Sequence, residues 1–262
     1  VAGDDAVVVA AEDVRVAFGE NVVLDGASLE VRRGETVAIL GESGSGKSVF
    51  LKVVLGLLPP DRGTVRLFGQ DVVGKSEEDL EPVRRRASVV YQTGALFSGL
   101  DVGENVALEL REVLDLSAEE ARARVAESLE GVGLADLDPK TMPDALSGGM
   151  RKRVAIARAI APKPEAIFYD EPTSGLDPIN SARILDLIRE LHDRMGVTSL
   201  VVTHDVLGVC RIASRIALIS DARFVFDGPP DEFLSSSDPA VAAFRDPALE
   251  AAASAMSEST PS

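Results

Sequence analysis

The sequence predicts an α/β fold in which a mostly parallel core sheet is covered by helices. Three observations predict it. A compact apolar run, Thr36 to Leu40, feeds directly into the glycine-rich segment Gly41-Glu42-Ser43-Gly44-Ser45-Gly46-Lys47-Ser48. After Pro162 and Pro164 the chain alternates strand, helix and strand: Ala166 to Tyr169, Pro178 to about Met195, Ser199 to Thr203. Between these parts, Leu100 to Ala161 is mostly helical and reads as a lobe inserted into the main domain.

Taken in order, Val14 to Phe18 and Ala27 to Val31 are short β-type runs, and Gly19-Glu20-Asn21 between them reads as a hairpin turn at a sheet edge. Lys47 to Leu57 has helical character and is stopped by Pro59-Pro60. Gly63 to Phe68 and Ala87 to Tyr91 are further strands. In the helical stretch, Ser117 with Glu120 forms a capping-box signature, and Ala121, Val125, Leu129 and Val132 recur along one helical face. Arg215 to Ser220 and Arg223 to Phe226 add short strands before Gly228-Pro229-Pro230 ends the pattern. Residues 1–234 form the main domain in this reading. Residues 235–262, rich in alanine, serine, aspartate and proline, form a partly disordered tail, with its tip from Ser257 unstructured and Val241 to Phe244 available to dock on a neighbour.

Composition narrows the function. The net charge of −16 disfavours nucleic acid, which needs lysine and arginine to replace released counterions, and disfavours direct adhesion to anionic lipid headgroups. The longest stretch free of charges, Ala87 to Leu100, is too short and too polar to span a bilayer. The amino terminus carries no basic flank followed by an apolar core, so no secretory signal is read there. The lone Cys210 has no partner for an internal disulfide, which points to the reducing cytoplasm.

The glycines of Gly41 to Ser48 let backbone N–H groups turn inward around a phosphate, and the following helix brings its positive dipole end to the anion. In that pattern Lys47 reaches the β- and γ-phosphates of a nucleotide and the Ser48 hydroxyl ligates Mg²⁺. Asp170-Glu171 closes an apolar strand, so both carboxylates emerge at the carboxyl end of a parallel sheet, where ligands bind in such folds. Asp170 is placed to hold Mg²⁺ through water and Glu171 to polarise an attacking water. Ser147-Gly148-Gly149, before the arginine-rich segment Arg151 to Ile160, makes a second anion site. Two phosphate sites in one chain are reconciled economically by a head-to-tail pair, each ATP held between Lys47 of one copy and Ser147 of the other.

With these motifs in order, the chain resembles the nucleotide-binding subunits of ABC transporters over residues 12 to 228. The resemblance implies a P-loop fold of the ABC ATPase type, with an antiparallel β-subdomain and a helical subdomain at about 100–161. It implies that ATP and Mg²⁺ are bound, that Gly41 to Ser48 and Val49 line the phosphates, and that Phe18 stacks on adenine, although a strand phenylalanine alone reads as core. Gln92 is similar to the glutamine that senses Mg²⁺ and the attacking water, Asp177 in Ser174-Gly175-Leu176-Asp177 to the loop crossing the dimer interface, and His204 to the switch histidine on the γ-phosphate. His192, inside a helix, reads as a surface residue. Finer matches, Tyr91-Gln92-Thr93-Gly94-Ala95-Leu96-Phe97, the LSGGMRKR run from Leu146 to Arg153 and Gly175-Leu176-Asp177-Pro178-Ile179, resemble the ATPases of Mla/Mce-type phospholipid transport systems.

The resemblance therefore implies an ATPase at the cytoplasmic face of the inner membrane, working as a homodimer with an integral membrane permease, an Mce-type lipid-binding subunit and a small regulatory subunit. Leu96, Phe97 and Leu100 are the apolar patch offered to the permease, or else ordinary core. An ATPase serving another solute shares every catalytic residue, and a soluble ABC-type scaffold or assembly factor is the alternative from a different class. No Asn-Lys-x-Asp guanine reader is present, which disfavours a GTPase.

Overall fold

The computed structural model describes residues 7–258. The chain divides into two compact units, one formed by Val1–Lys75 with Val201–Ser262 and the other by Ser76–Leu200.

In the first unit, β1 (Val7–Phe18) and β2 (Asn21–Arg32) form the expected hairpin, closing at the pair Phe18↔Asn21. β4 (Arg62–Leu67) pairs antiparallel on the other side of β1, and β5 (Gln70–Asp71) follows it. This is the antiparallel β-subdomain. A second set of strands surrounds β3 (Thr36–Leu40), whose five residues are all buried, as a central parallel strand requires. β9 (Arg215–Ser220) runs parallel to it, and β10 (Arg223–Gly228) turns back antiparallel along β9. On the opposite side of β3 lies the end of β8 (Thr198–Val202), where the Thr203 amide donates to the Ile39 carbonyl at 3.1 Å. The helix α1 (Lys47–Val54) buries Phe50, which packs edge-on against Phe224 with ring centroids 5.0 Å apart.

The carboxyl-terminal segment departs from its expected form. After α7 (Val206–Cys210) and α8 (Pro230–Ser235), the chain forms a long helix, α9 (Pro239–Glu258). Val241 is fully buried in one cluster with Leu40, Val209, Leu218 and Phe233, and Phe244 packs against that cluster. The Val241 to Phe244 patch is thus used inside its own unit. Arg245 reinforces this attachment: its guanidinium donates to the carbonyls of Phe233, Leu234 and Ser236, the free end of α8. The tip expected to be unstructured is helical through Glu258, and its remaining residues, 259–262, lie outside the described residues. Val241→Asp should cost about 3 kcal/mol and lower Tm by roughly 6–12 °C, because a carboxylate replaces a fully buried methyl pair; thermal unfolding followed by circular dichroism measures it, and an unchanged Tm would mean that α9 is not anchored there.

In the second unit, β6 (Ala87–Val90) pairs parallel with β7 (Ala166–Asp170), while Thr198 at the start of β8 donates to the Glu165 carbonyl at 3.0 Å. The inserted lobe consists of α3 (Val102–Glu112), α4 (Ala118–Gly131) and α5 (Gly148–Ile160), each packed on the other two. Capping boxes start α3 at Asp101 with Glu104 and α4 at Ser117 with Glu120. A helix absent from the sequence reading, α2 (Glu77–Arg84), begins with another box, Ser76 with Asp79. α6 (Pro178–Met195) ends at Gly196 in the left-handed conformation. His192 in its last turn is half-buried, with Nδ1 2.8 Å from the Val197 carbonyl, so it braces the helix end and is not a plain surface residue.

Candidate functional site

In the first unit, the fully buried β3 delivers the chain into a loop whose backbone only glycine permits. A Cβ on Gly41 would stand 2.6 Å from the Ser45 hydroxyl and 2.7 Å from the Ile219 carbonyl. At Gly46 the φ is +101°, and a Cβ would stand 2.9 Å from the Val23 carbonyl. Gly46 is also the residue that caps α1, without a side-chain hydrogen bond to the first-turn amides. Those amides and the helix dipole therefore present positive potential to the loop.

Lys47, the first residue of α1, is only 7% exposed. Its ammonium lies along the inside of the loop, donating to the Gly41 and Glu42 carbonyls at 2.8 Å each. Glu42, Ser43 and Gly44 are exposed, Ser48 and Val49 are half-buried, and the Ser45 hydroxyl is buried without a hydrogen-bond partner. The outer side of the loop borders a cavity of about 500 Å³ lined by Asn21 to Val23, Glu42 to Ser45 and Leu218 to Ala222, with Phe244 from α9. Phe18, at the end of β1, is 53% exposed, which removes the core reading. His204 is exposed and directly follows the buried Thr203; its neighbour Asp205 caps α7 by accepting from the Gly208 amide at 2.9 Å.

In the second unit, Asp170 ends β7 and Glu171 follows it, both half-buried. Glu171 has φ +48°, in the left-handed region that disfavours a side-chain-bearing residue by about 1–2 kcal/mol. Gln92, just past β6, is exposed and donates from Nε2 to the Ser174 hydroxyl at 3.0 Å, joining its loop to the segment before Asp177. Ser147 caps α5, accepting from the Met150 amide at 3.3 Å, and Gly148 and Gly149 lie under Leu176 and Asn180 of the neighbouring loop and helix. Asp177 caps α6 by accepting from the Asn180 amide at 3.0 Å. The backbone and side-chain bonds from Asn180 hold its carboxyl below the usual carboxylate range.

Two residues that the sequence reading did not single out join this unit's loops. Lys152, buried in α5, donates to the carbonyls of Gln92 and Glu171. Arg158, six residues on, donates to the Gly94 and Ala95 carbonyls at 2.9 and 2.7 Å. In the sequence they are ordinary cations of an amphipathic helix, and only the packing of α5 on β6 reveals their acceptors.

Comparison with known proteins gives these features a common setting. Residues 24–174 match the family model described as ABC transporter. The chain is 43% identical over 221 residues to the methionine import ATP-binding protein MetN of Rhizobium johnstonii, a match covering 84% of this chain and 60% of that protein. It is 41% identical over 234 residues to the intermembrane phospholipid transport system ATP-binding protein MlaF of Escherichia coli strain K12, covering 89% of this chain and 87% of that protein. Thus the chain spans less than two thirds of the methionine import relative but most of the phospholipid transport relative. Among solved structures, a dimeric ATP-binding cassette in a post-hydrolysis state, bound to ADP and phosphate, matches with a TM-score of 0.76 and 33% identity over 85% of this chain and 98% of that chain.

Proposed function

The chain belongs to the ABC transporter family, and from that premise we propose that it is the ATP-hydrolysing subunit of a membrane transporter that moves phospholipid. The observation that carries the ATPase reading is the loop from Gly41 to Ser48, where a glycine-only backbone, a helix start and the enclosed ammonium of Lys47 converge on one anion-binding surface. In this reading Gly41 to Val49 cradle the phosphates of ATP, Phe18 stacks on its base, Glu171 orients and deprotonates water, and His204 contacts the γ-phosphate. Ser147 to Gly149 and Asp177 act on the nucleotide of a second copy. The dimeric state of the ADP- and phosphate-bound relative supports that pairing.

The donor chemistry in each unit suits Mg²⁺: Ser48 in the first offers a hydroxyl oxygen, and Gln92 and Asp170 in the second offer amide and carboxylate oxygens, the hard ligands this ion takes. Mg²⁺ takes few protein ligands and completes its shell with phosphate and water. Bound there, Mg²⁺ neutralises charge on the transferred phosphoryl group.

The phospholipid assignment rests on the length of the match to the phospholipid transport relative, which extends over most of both chains. The comparable identity to the methionine import relative favours a second reading, an importer of a small solute with the same catalytic residues. No helix among the described residues is long and apolar enough to cross a membrane. In this reading the cargo path belongs to a permease partner. In this reading the chain sits on the inner face of the cell membrane, with an Mce-type lipid-binding subunit and a regulatory subunit completing the complex. Gentle-detergent purification of the tagged chain from its own membranes tests the assignment. A permease with a lipid-binding subunit and bound phospholipid supports it; a permease with a solute-binding protein replaces the cargo, and recovery of no membrane protein points to a soluble scaffold.

The permease contact is assigned to the loop after Gln92. Phe97 is 54% exposed, Tyr91 is exposed as well, and Leu96 and Leu100 are half-buried. Fully buried Asn105 fixes this loop, accepting from the Phe97 amide and donating to the Phe97 and Leu100 carbonyls. Phe97→Asp should leave Tm and the basal ATPase rate of the isolated chain unchanged, yet weaken co-purification with the permease by roughly 30-fold, the scale of losing one aromatic anchor. Undiminished recovery of the complex would exclude this loop from the contact.

A further inference from the structure

We propose that Lys152 is a positioning residue that fixes the backbones of Gln92 and Glu171 relative to each other and to the start of α5. The inference rests on the ATPase reading above for its catalytic consequence, but its structural content stands on contacts within one unit.

Lysine is almost never this buried unless paired, and Lys152 is 6% exposed. Its ammonium carries three protons, and two of them go to main-chain carbonyls, those of Gln92 and Glu171. These acceptors lie far apart in the sequence, one after β6 and the other after β7, and Lys152 joins their backbones. The side chain of Gln92 reaches Ser174, but that bond joins exposed and half-buried groups near the surface, whereas Lys152 holds the main chain from beneath.

The backbone at both places needs holding. Glu171 sits at φ +48° and Ala95 at φ +46°, conformations that persist only where the surroundings over-determine them. Arg158 secures the far side of the first loop through the Gly94 and Ala95 carbonyls, and the Ser174 amide returns to the Glu171 carbonyl at 3.1 Å. Lys152 bonds to the main chain of both loops. Burial lowers its proton affinity, while Glu171 and Asp170 act in the opposite direction, so the same carboxylates that gather here favour the charged amine.

Its place on α5 gives the clamp a direction. Lys152 stands five positions after Ser147, about 7.5 Å along the helix axis. Any displacement of the Ser147-Gly148-Gly149 end is carried by a rigid helix to the carbonyls of Gln92 and Glu171 together. With the carbonyls of Glu171 and Gln92 held, the backbone positions from which their carboxylate and amide extend are held as well.

The test uses the full chain with three forms, wild type, Lys152→Met and Lys152→Gln. Methionine keeps the apolar stem and deletes the donors, while glutamine restores N–H donation without charge. Expected for Lys152→Met is a fall in kcat of roughly 30- to 100-fold, the scale of a catalytic group misplaced by about 1 Å, with KM for ATP within about twofold of wild type. Lys152→Gln should recover most of that loss. Hydrogen–deuterium exchange on the nucleotide-free chain should show residues 92–95 and 171–174 exchanging faster together in Lys152→Met, with α5 itself unchanged. Wild-type kcat in Lys152→Met with unaltered exchange in both loops overturns the proposal, as does an equal loss in Lys152→Gln. Should the wild-type chain, with its membrane partner, hydrolyse no ATP, the ATPase reading fails, and the exchange of the two loops still decides whether the clamp exists.

Discussion

Glu171→Gln should bind ATP normally, hydrolyse it at least 100-fold more slowly, and accumulate as a dimer in the presence of ATP. The size of the effect follows from the chemistry removed, since a positioned general base contributes roughly 10²- to 10⁴-fold. The exchange is nearly isosteric, so the left-handed backbone at φ +48° and the Lys152 bond to the residue's carbonyl, which involve no side-chain atom of residue 171, remain in place. In the role proposed for Glu171, what disappears is a negative charge and a proton acceptor for the attacking water. Loss of the charge relieves repulsion toward the nucleotide, and loss of the acceptor stops turnover, so the closed state persists. Single-turnover hydrolysis and size-exclusion chromatography with and without ATP measure the two consequences separately. Turnover within about twofold of wild type would remove Glu171 from the role of base, whatever the oligomeric state.

The parts of the chain that were legible from sequence are those where one local signal had no competitor. Val37 to Leu40 is uniformly apolar and runs into a glycine pattern with a single physical use, and the structure has the strand at Thr36–Leu40. Asp177-Pro178 likewise marks the start of α6, confirmed by the bond from the Asn180 amide to the aspartate. The misses have physical causes. β1 extends back to Val7, but acidic Glu12 and Asp13 and register shifts between Ala11 and Val14 break the alternation that identifies a strand. α2 contains Pro82 and mostly charged residues, which hide it, although its Ser76–Asp79 cap was a usable signal. α9 is alanine-rich with Pro247 inside, a composition that reads as a tail; its order comes from tertiary burial of Val241 and the Arg245 bonds to α8. The same limit applies to the candidate site. Motifs name Gln92, Glu171 and Lys47, whereas Lys152 and Arg158 act through main-chain carbonyls, and carbonyl positions carry no residue-type signature.

Lys47→Ala should abolish tight ATP binding, in contrast to Glu171→Gln, which retains it. Lys47 is only 7% exposed, and its ammonium is held by the Gly41 and Glu42 carbonyls at 2.8 Å each. Much of the desolvation cost of using this charge is therefore met in folding, so a phosphate arriving at the loop meets a preorganised cation. A hydrogen bond to a charged group contributes about 1.5–3 kcal/mol, which is roughly 10- to 150-fold in affinity. Alanine also leaves those two carbonyls facing the incoming phosphate without their cation, and like partial charges there add to the loss. The loop backbone should survive the change, because its shape is set by Gly41 and Gly46 against Ile219 and Val23 and not by the lysine stem. The expected result is a variant with near-native Tm and an ATP Kd raised by at least tenfold, measured by titration of a fluorescent ATP analogue or by calorimetry. An unchanged Kd would mean that the ammonium serves only to close the loop on itself, and the phosphate cradle would have to be sought elsewhere in the chain.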